Sequence, residues 1–189
     1  MGDHSSNNSS DLILESSLQT FFFDQLTEVN KKSAYPIPQE AIYYSSLVMD
    51  QFGESGNYFE VNEEGKTCEK TLGIKLLQST HMSKQKKKRA LKDVGDTALF
   101  LCGYFSDSLN KKIVDPEYYQ NLGQIAYGRL NNIVPSAYDT PALFKTIAET
   151  FDRMASLMNI VSKNNRAKAD NADDSYLLYV AANHKIKAS

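Results

Sequence analysis

A run of apolar residues at helical spacing constrains the fold of this chain more than any other feature. It occupies the second half of a helix predicted to begin in the basic segment that starts at Lys84. One face has six apolar side chains at steps of three and four residues: Leu91, Val94, Ala98, Leu101, Cys102 and Phe105. Leu99 and Phe100 point the other way, so this segment is apolar on nearly all sides. Because such helices are normally buried between other elements, we predict residues 96–105 at the centre of a helical bundle.

Helical patterns continue along the rest of the chain and outnumber strand patterns. Besides the central helix, they predict helices over residues 11–30, 38–52, 67–81, 118–133, 141–161 and 174–182. We therefore expect an all-α protein, a single irregular bundle of five to seven helices. Four helix starts are indicated by capping residues or a proline in the first turn: Ser10 or Asp11, Pro38, Asp115 followed by Pro116, and Thr140 followed by Pro141.

The chain divides into four predicted regions. Its 189 residues suffice for one domain with a sizeable core. Residues 1–10 (MGDHSSNNSS) are expected to be a disordered polar N-terminus, and residues 11–162 the bundle. Residues 163–173 are polar and are predicted as a linker or frayed end. Residues 174–189 are predicted to form a short C-terminal helix and tail.

One carboxylate lies where a core is expected. On a helical wheel Asp96 falls between Leu99 and Phe100, on the second apolar arc of the central helix. A buried carboxylate without a partner is destabilising, so it must be hydrogen-bonded, ion-paired or neutralised. Arg129 lies within the apolar face of the next helix and needs a carboxylate or a route to solvent. We predict that Asp96 and Arg129 form an ion pair.

Tyrosines on the same helix as Arg129 are candidates to join this pair. The hydroxyl of Tyr118 or Tyr119 is expected to complete the network, and Tyr127 lies farther along the helix. Two interpretations remain open. The group is either a structural polar network or the lining of a bundle-interior pocket, in which perturbed carboxylates serve as acids and bases. The second interpretation makes the protein a small-ligand binder or a hydrolytic enzyme.

The start of the central helix is strongly basic. Six cations occur within nine residues: Lys84, Lys86, Lys87, Lys88, Arg89 and Lys92. Positive charge at a helix start opposes the helix dipole. Either this is a solvated face, in which Arg89–Asp93 and Lys92–Asp96 contacts are available, or it is a docking patch for an acidic protein or an anionic, phosphate-bearing ligand. Nucleic acid is disfavoured because the run has no interleaved aromatics and the net charge is -2.

Three phenylalanines follow one another in the first helix. Phe21, Phe22 and Phe23 cannot all face one core from a single helix. Either all three are covered within the molecule, or one forms a hydrophobic contact with a partner protein.

The sequence contains no recognisable catalytic or metal-binding motif. The three histidines, His4, His81 and His184, have no ligand at metal spacing, and Cys68 and Cys102 form no metal motif. Nucleophile-elbow, P-loop and dinucleotide-binding motifs do not occur. We therefore predict no catalytic residue, cofactor or metal, although an enzyme remains the alternative. The first residues lack the apolar core of a signal peptide and no apolar run is long enough to span a bilayer, so cytoplasmic localisation is expected.

The segment from Val94 to Leu130, VGDTALFLCGYFSDSLNKKIVDPEYYQNLGQIAYGRL, resembles a family of uncharacterised helical proteins from gliding and predatory bacteria. The resemblance covers about fifty residues well and the flanking residues loosely. It implies a bacterial, cytoplasmic, all-helical protein. It implies no established activity and no catalytic residues.

Two functions are compatible with these observations. The first is a non-enzymatic protein-binding or adaptor domain, which docks a protein partner or a second copy through the basic helix start and exposed aromatics. The second is the enzyme or small-ligand binder with a pocket around Asp96, Tyr119 and Arg129. A solvent-connected pocket that reaches Asp96 would favour the second, and a tightly packed Asp96 beside a basic or apolar surface would favour the first.

Overall fold

A computed structural model describes residues 17–54, 69–106 and 116–171 of the chain. In these ranges the fold is all-α, as predicted, with one very short β-hairpin. The predictions for residues 1–10 and 174–189 lie outside the described residues. The described elements are α1 (Leu18–Lys31), α2 (Gln39–Glu54), α3 (Glu69–Gln78), a 3-10 turn (Ser79–His81), α4 (Lys84–Tyr104), α5 (Pro116–Ile133), β1 (Ser136–Ala137), β2 (Thr140–Pro141) and α6 (Leu143–Asn171).

Helix α4 is the centre of the bundle, as its apolar pattern predicts. It packs against α2, α3, α5 and α6. Leu91, Val94 and Ala98 on one arc and Leu99 and Phe100 on the other are all buried. Because both arcs are covered, Asp96, which lies between Leu99 and Phe100 on the helical wheel, is placed in the core.

The first two helices form a pair that packs on α6. Helix α1 begins after Ser17, whose hydroxyl accepts a hydrogen bond from the Thr20 amide at 3.1 Å. The predicted caps Ser10 and Asp11 lie outside the described residues, and the extended backbone of Ser17 marks the start of α1. Helix α2 follows Pro38, as predicted, and both helices contact α6.

A two-residue β-hairpin separates α5 from α6. Ser136 pairs with Pro141, and the two central residues, Tyr138 and Asp139, have positive φ angles of 51° and 58°. Hairpin turns of this length favour positive φ because it matches the twist of the strands. Thr140 therefore lies in a strand and is not the predicted cap of the last helix. That helix begins at Leu143, directly after the hairpin.

The polar segment predicted as a linker is helical through Asn171. Arg166 of this segment, and Ser162 just before it, bind the C-terminal end of α4, where backbone carbonyls lack helical partners. The Ser162 hydroxyl and the Arg166 guanidinium donate to the Tyr104 carbonyl at 3.4 and 3.2 Å, and Arg166 also donates to the Ser162 hydroxyl at 2.8 Å. A cation at the end of α4 also complements the helix dipole. These tertiary contacts continue α6 beyond its last strongly apolar turn.

Two glycines of α5 have opposite surroundings. A methyl group added at Gly123 would contact the ring of Phe151, with its Cζ at 2.6 Å, and this ring is fully buried. A methyl group at Gly128 would meet nothing within 4 Å. Of these two positions, only Gly123 lies at a close approach between helices.

This contrast predicts stability changes of opposite sign within one helix. Gly123→Ala is expected to lower the free energy of unfolding by about 1–3 kcal/mol, because the core has to shift around Phe151. Gly128→Ala is expected to raise it by about 0.5–1 kcal/mol, because alanine loses less backbone entropy on helix formation. Urea unfolding of both variants measures the two changes. Shifts of the same sign and size would contradict the packing at Gly123.

Candidate functional site

The carboxylate of Asp96 is the most completely buried charged group in the described residues, at 1% exposure. The hydroxyls of Tyr44 in α2 and Tyr127 in α5 both donate to its Oδ1 atom, at 2.6 and 2.8 Å. Three helices therefore meet at one oxygen atom. Short hydrogen bonds from two phenols to a carboxylate are strong because the acceptor is charged.

The second oxygen of Asp96 is bound by a lysine of the same helix. Lys92 lies one turn earlier in α4, and its Nζ atom donates to Oδ2 in an ion pair. The same Nζ atom lies over the ring of Tyr44, 5.4 Å from the centroid. The sequence predicts Lys92–Asp96 as an available contact, and the structure confirms it. Three donors on two oxygens give the buried charge the hydrogen bonds that burial demands.

The two phenols are held neutral. Burial, followed by the negative charge of Asp96, raises the pKa of Tyr44 well above its ordinary value. The same causes raise the pKa of Tyr127. Both rings also pack edge to face against each other, with centroids 5.9 Å apart. These hydroxyls serve as donors in a packed network and are poorly suited to accept a proton near neutral pH.

The predicted ion pair of Asp96 with Arg129 is wrong. Arg129 is exposed, two residues beyond buried Tyr127, so α5 directs the two side chains to different sides. Tyr119 is buried and Tyr118 is exposed, and neither binds Asp96 as predicted. The hydrogen bonds to the Asp96 carboxylate come from Tyr44, Tyr127 and Lys92. Asp96, Tyr119 and Arg129 thus do not line a common pocket.

Tyr44 of α2 is not among the candidate residues predicted from the sequence. The structure buries Tyr44 and leaves Tyr43 exposed. The spacing of Tyr44, Val48 and Phe52, each four residues apart, indicates this register. What the sequence cannot indicate is that this face of α2 packs beside Asp96.

Five cations, four of them exposed, lie on the first two turns of α4 and are called here the basic cluster: Lys84, Lys86, Lys87, Lys88 and Arg89. Lys87 is half-buried and the other four are exposed. Among the described residues, no carboxylate lies within ion-pair distance of these five. Asp93, the predicted partner of Arg89, pairs with Lys75 of α3 instead. Lys92, predicted as part of this patch, is bound to Asp96.

The three consecutive phenylalanines pack largely within the molecule. Phe22 is buried, and Phe21 and Phe23 are half-buried against the core. Phe21 packs edge to face on Phe22 with centroids 5.5 Å apart, and Phe23 packs on Tyr43 at 6.2 Å. This agrees with the interpretation that the three rings are covered intramolecularly. Apolar side chains that are more exposed than these phenylalanines occur on α3 and α5. Leu77 of α3, for example, is 69% exposed.

A small cavity of about 220 Å³ lies between the end of α4, the start of α5 and the middle of α6. Its lining residues include Cys102, Ser106, Gln120, Asp152 and Asn159. Burial and the nearby Asp152 raise the pKa of Cys102 to about 12, so its thiol is protonated at neutral pH. A protonated thiol is a weak nucleophile, and this cavity is separate from Asp96.

In residues 17–54, 69–106 and 116–171, no three histidine, cysteine, aspartate or glutamate side chains are grouped so that they could hold a metal ion. None of the helices described there combines the length and the apolar character that crossing a membrane requires.

Comparison with protein-family models gives no match, and comparisons with curated proteins and with solved structures give no significant match. The resemblance to helical proteins of gliding and predatory bacteria stays a prediction. Functional inference for this chain therefore depends on its own residues.

Proposed function

We propose that this chain is a non-enzymatic adaptor domain that binds an acidic protein through the basic cluster of α4 and neighbouring exposed side chains. The observation that supports the proposal most directly is the exposure of the basic cluster without a carboxylate partner among the described residues. A cytoplasmic location belongs to the same proposal.

The basic cluster destabilises the helix that contains it. Ser83, the residue before α4, makes no side-chain cap hydrogen bond, and the first turn contains no acid. Each cation near a helix start opposes the dipole by about 0.3–1 kcal/mol when exposed. Lys84 and Lys88 also repel each other, since they lie one turn apart. A bound acidic surface would reverse both effects, because it would neutralise the cations and complement the dipole.

The alternative, an enzyme or ligand binder built around Asp96, has less support. Both oxygens of Asp96 are already bound by Tyr44, Tyr127 and Lys92. The small cavity near Cys102 does not include any of these residues. A substrate would have to displace packed side chains to reach the carboxylate.

Affinity capture from native lysate tests the proposal with two variants of equal charge change. The cluster variant has Lys86, Lys87, Lys88 and Arg89 changed to glutamate. The matched control has four exposed cations elsewhere changed to glutamate: Lys32, Arg129, Lys145 and Arg153. Wild type and control are expected to retain the same partner, identified by mass spectrometry, and raised salt should weaken its binding. The cluster variant is expected to retain at least about ten-fold less.

Two results would contradict the proposal. Equal retention by the cluster variant and wild type would mean that the basic cluster is only a solvated face. Equal loss in the cluster variant and the control would mean that the partner responds to net charge and does not bind at α4.

A further inference from the structure

Three exposed apolar side chains form one surface on α3 and the start of α5, called here the α3 face: Ile74, Leu77 and Tyr118. They are 49%, 69% and 41% exposed. Helix α3 packs into the bundle through Leu72 and Leu76, which are buried. Ile74 and Leu77, one turn apart on the opposite side of this helix, therefore point to solvent.

The edges of the α3 face have different chemistry. On one edge the hydroxyl of Tyr118 in α5 occupies the space that a Cβ atom at Gly73 would take. On the other edge Lys75 pairs with Asp93 of α4. Asp93 lies four residues after Arg89 and seven after Lys86, so both cations lie on the α4 face that borders α3. An apolar strip is thus bordered by an aromatic ring on one side and by the basic cluster on the other.

We infer that the α3 face and the basic cluster together bind an acidic amphipathic helix, an inference that rests on the proposed function and specifies the partner. Helices dock by placing apolar residues from successive turns against an apolar strip. The strip formed by Ile74, Leu77 and Tyr118 accepts such anchors. Carboxylates along one flank of the same helix would lie opposite Lys86 and Arg89.

Charge favours this occupant over a second copy of the chain. A two-fold contact between copies places the same surface on both sides of the interface. If the α3 face bound itself in this way, two basic clusters would approach each other, which is unfavourable. An acidic helix instead gains charge complementarity from the same cations.

Fluorescence anisotropy with a synthetic peptide tests the inference. The probe is an amphipathic peptide of about 18 residues, long enough as a helix to span the α3 face, with leucines on one side and glutamates on the adjacent flank. The α3 variant is Ile74→Ser with Leu77→Ser. Its matched control is Leu18→Ser with Ile160→Ser, two exposed apolar residues on α1 and α6. Circular dichroism confirms that each variant is folded.

Wild type and control are expected to bind the peptide with equal affinity. The α3 variant should raise its Kd about ten-fold while the salt dependence stays the same, and the cluster variant should flatten the salt dependence. An unchanged Kd in the α3 variant, beside weaker binding by the cluster variant, would overturn the inference and leave the proposed function intact.

Other outcomes identify a different occupant. If wild type does not bind the peptide, the inference is overturned, and the affinity capture decides the proposed function separately. Wild-type binding to phosphatidylserine vesicles that is lost in the α3 variant, without peptide binding, would assign the surface to membranes. Dimerisation of wild type that is lost in the α3 variant would assign the surface to a second copy.

Discussion

Replacing Asp96 by alanine is expected to lower the free energy of unfolding by about 3–5 kcal/mol, because it leaves a buried polar network without its acceptor. Two buried phenol hydroxyls, of Tyr44 and Tyr127, lose their shared carboxylate oxygen, and Lys92 loses its ion-pair partner. Urea unfolding followed by circular dichroism measures the change. A loss below about 1 kcal/mol would mean that the network does not stabilise the fold.

Two milder substitutions separate the contributions within this network. Asp96→Asn keeps an oxygen that can accept from both phenols and removes the charge, so its effect should be smaller than that of alanine. In a double-mutant cycle, Asp96→Asn should couple with Lys92→Met and be additive with Arg129→Met. Coupling with Arg129 would contradict the assignment of Lys92 as the partner.

The second large effect is a loss of stability at alkaline pH. The pKa values of Tyr44 and Tyr127 are raised in the folded protein. Below about pH 10, the ordinary tyrosine pKa, both states keep the proton and the free energy of unfolding is unaffected. Above it the unfolded chain releases protons that the folded chain retains. Stability should therefore fall by up to about 1.4 kcal/mol per pH unit for each tyrosine until the folded pKa is reached.

Urea unfolding between about pH 9 and pH 11.5 measures this slope. Tyr44→Phe should remove one tyrosine's share of the slope, since phenylalanine keeps the ring and has no proton to release. Tyr35→Phe is the matched control, because Tyr35 is highly exposed. Lysines titrate in the same pH range, but wild type and both variants contain the same lysines. Their contribution therefore cancels when the slopes of the free energy of unfolding are compared. Equal slopes for wild type and Tyr44→Phe would contradict the buried position of this hydroxyl.

The polar network shows what periodicity can predict and what it cannot. The helical wheel correctly places Asp96 in the core, because burial follows from the residues around it on α4. The partner within the same helix, Lys92, is also predictable from its spacing of four residues. Tyr44 is 52 residues earlier in sequence, and only the packing of α2 on α4 brings it to Asp96. The prediction of Arg129 as the partner of Asp96 is wrong because Tyr127, two residues earlier in α5, faces the core and Arg129 faces solvent.

Helix ends show a similar division. Pro116 begins α5 as predicted, because proline suits the first helical position. The same pattern at Pro141 fails, since the positive φ angles of Tyr138 and Asp139 close a hairpin first. The polar residues after Val161 continue α6 because Ser162 and Arg166 bind the Tyr104 carbonyl. Such tertiary contacts override local composition and are not visible in the sequence.

The position of α6 has a consequence for how the chain matures during synthesis. This helix, the last in the described residues, packs on α1, α2, α4 and α5. Translation proceeds from the N-terminus at about 5–20 residues per second, so α1 and α2 emerge several seconds before α6 exists. Until then their apolar faces remain uncovered by α6. The bundle can therefore close only after α6 has been synthesised, and nascent chains stalled before Leu143 should be targets for chaperones.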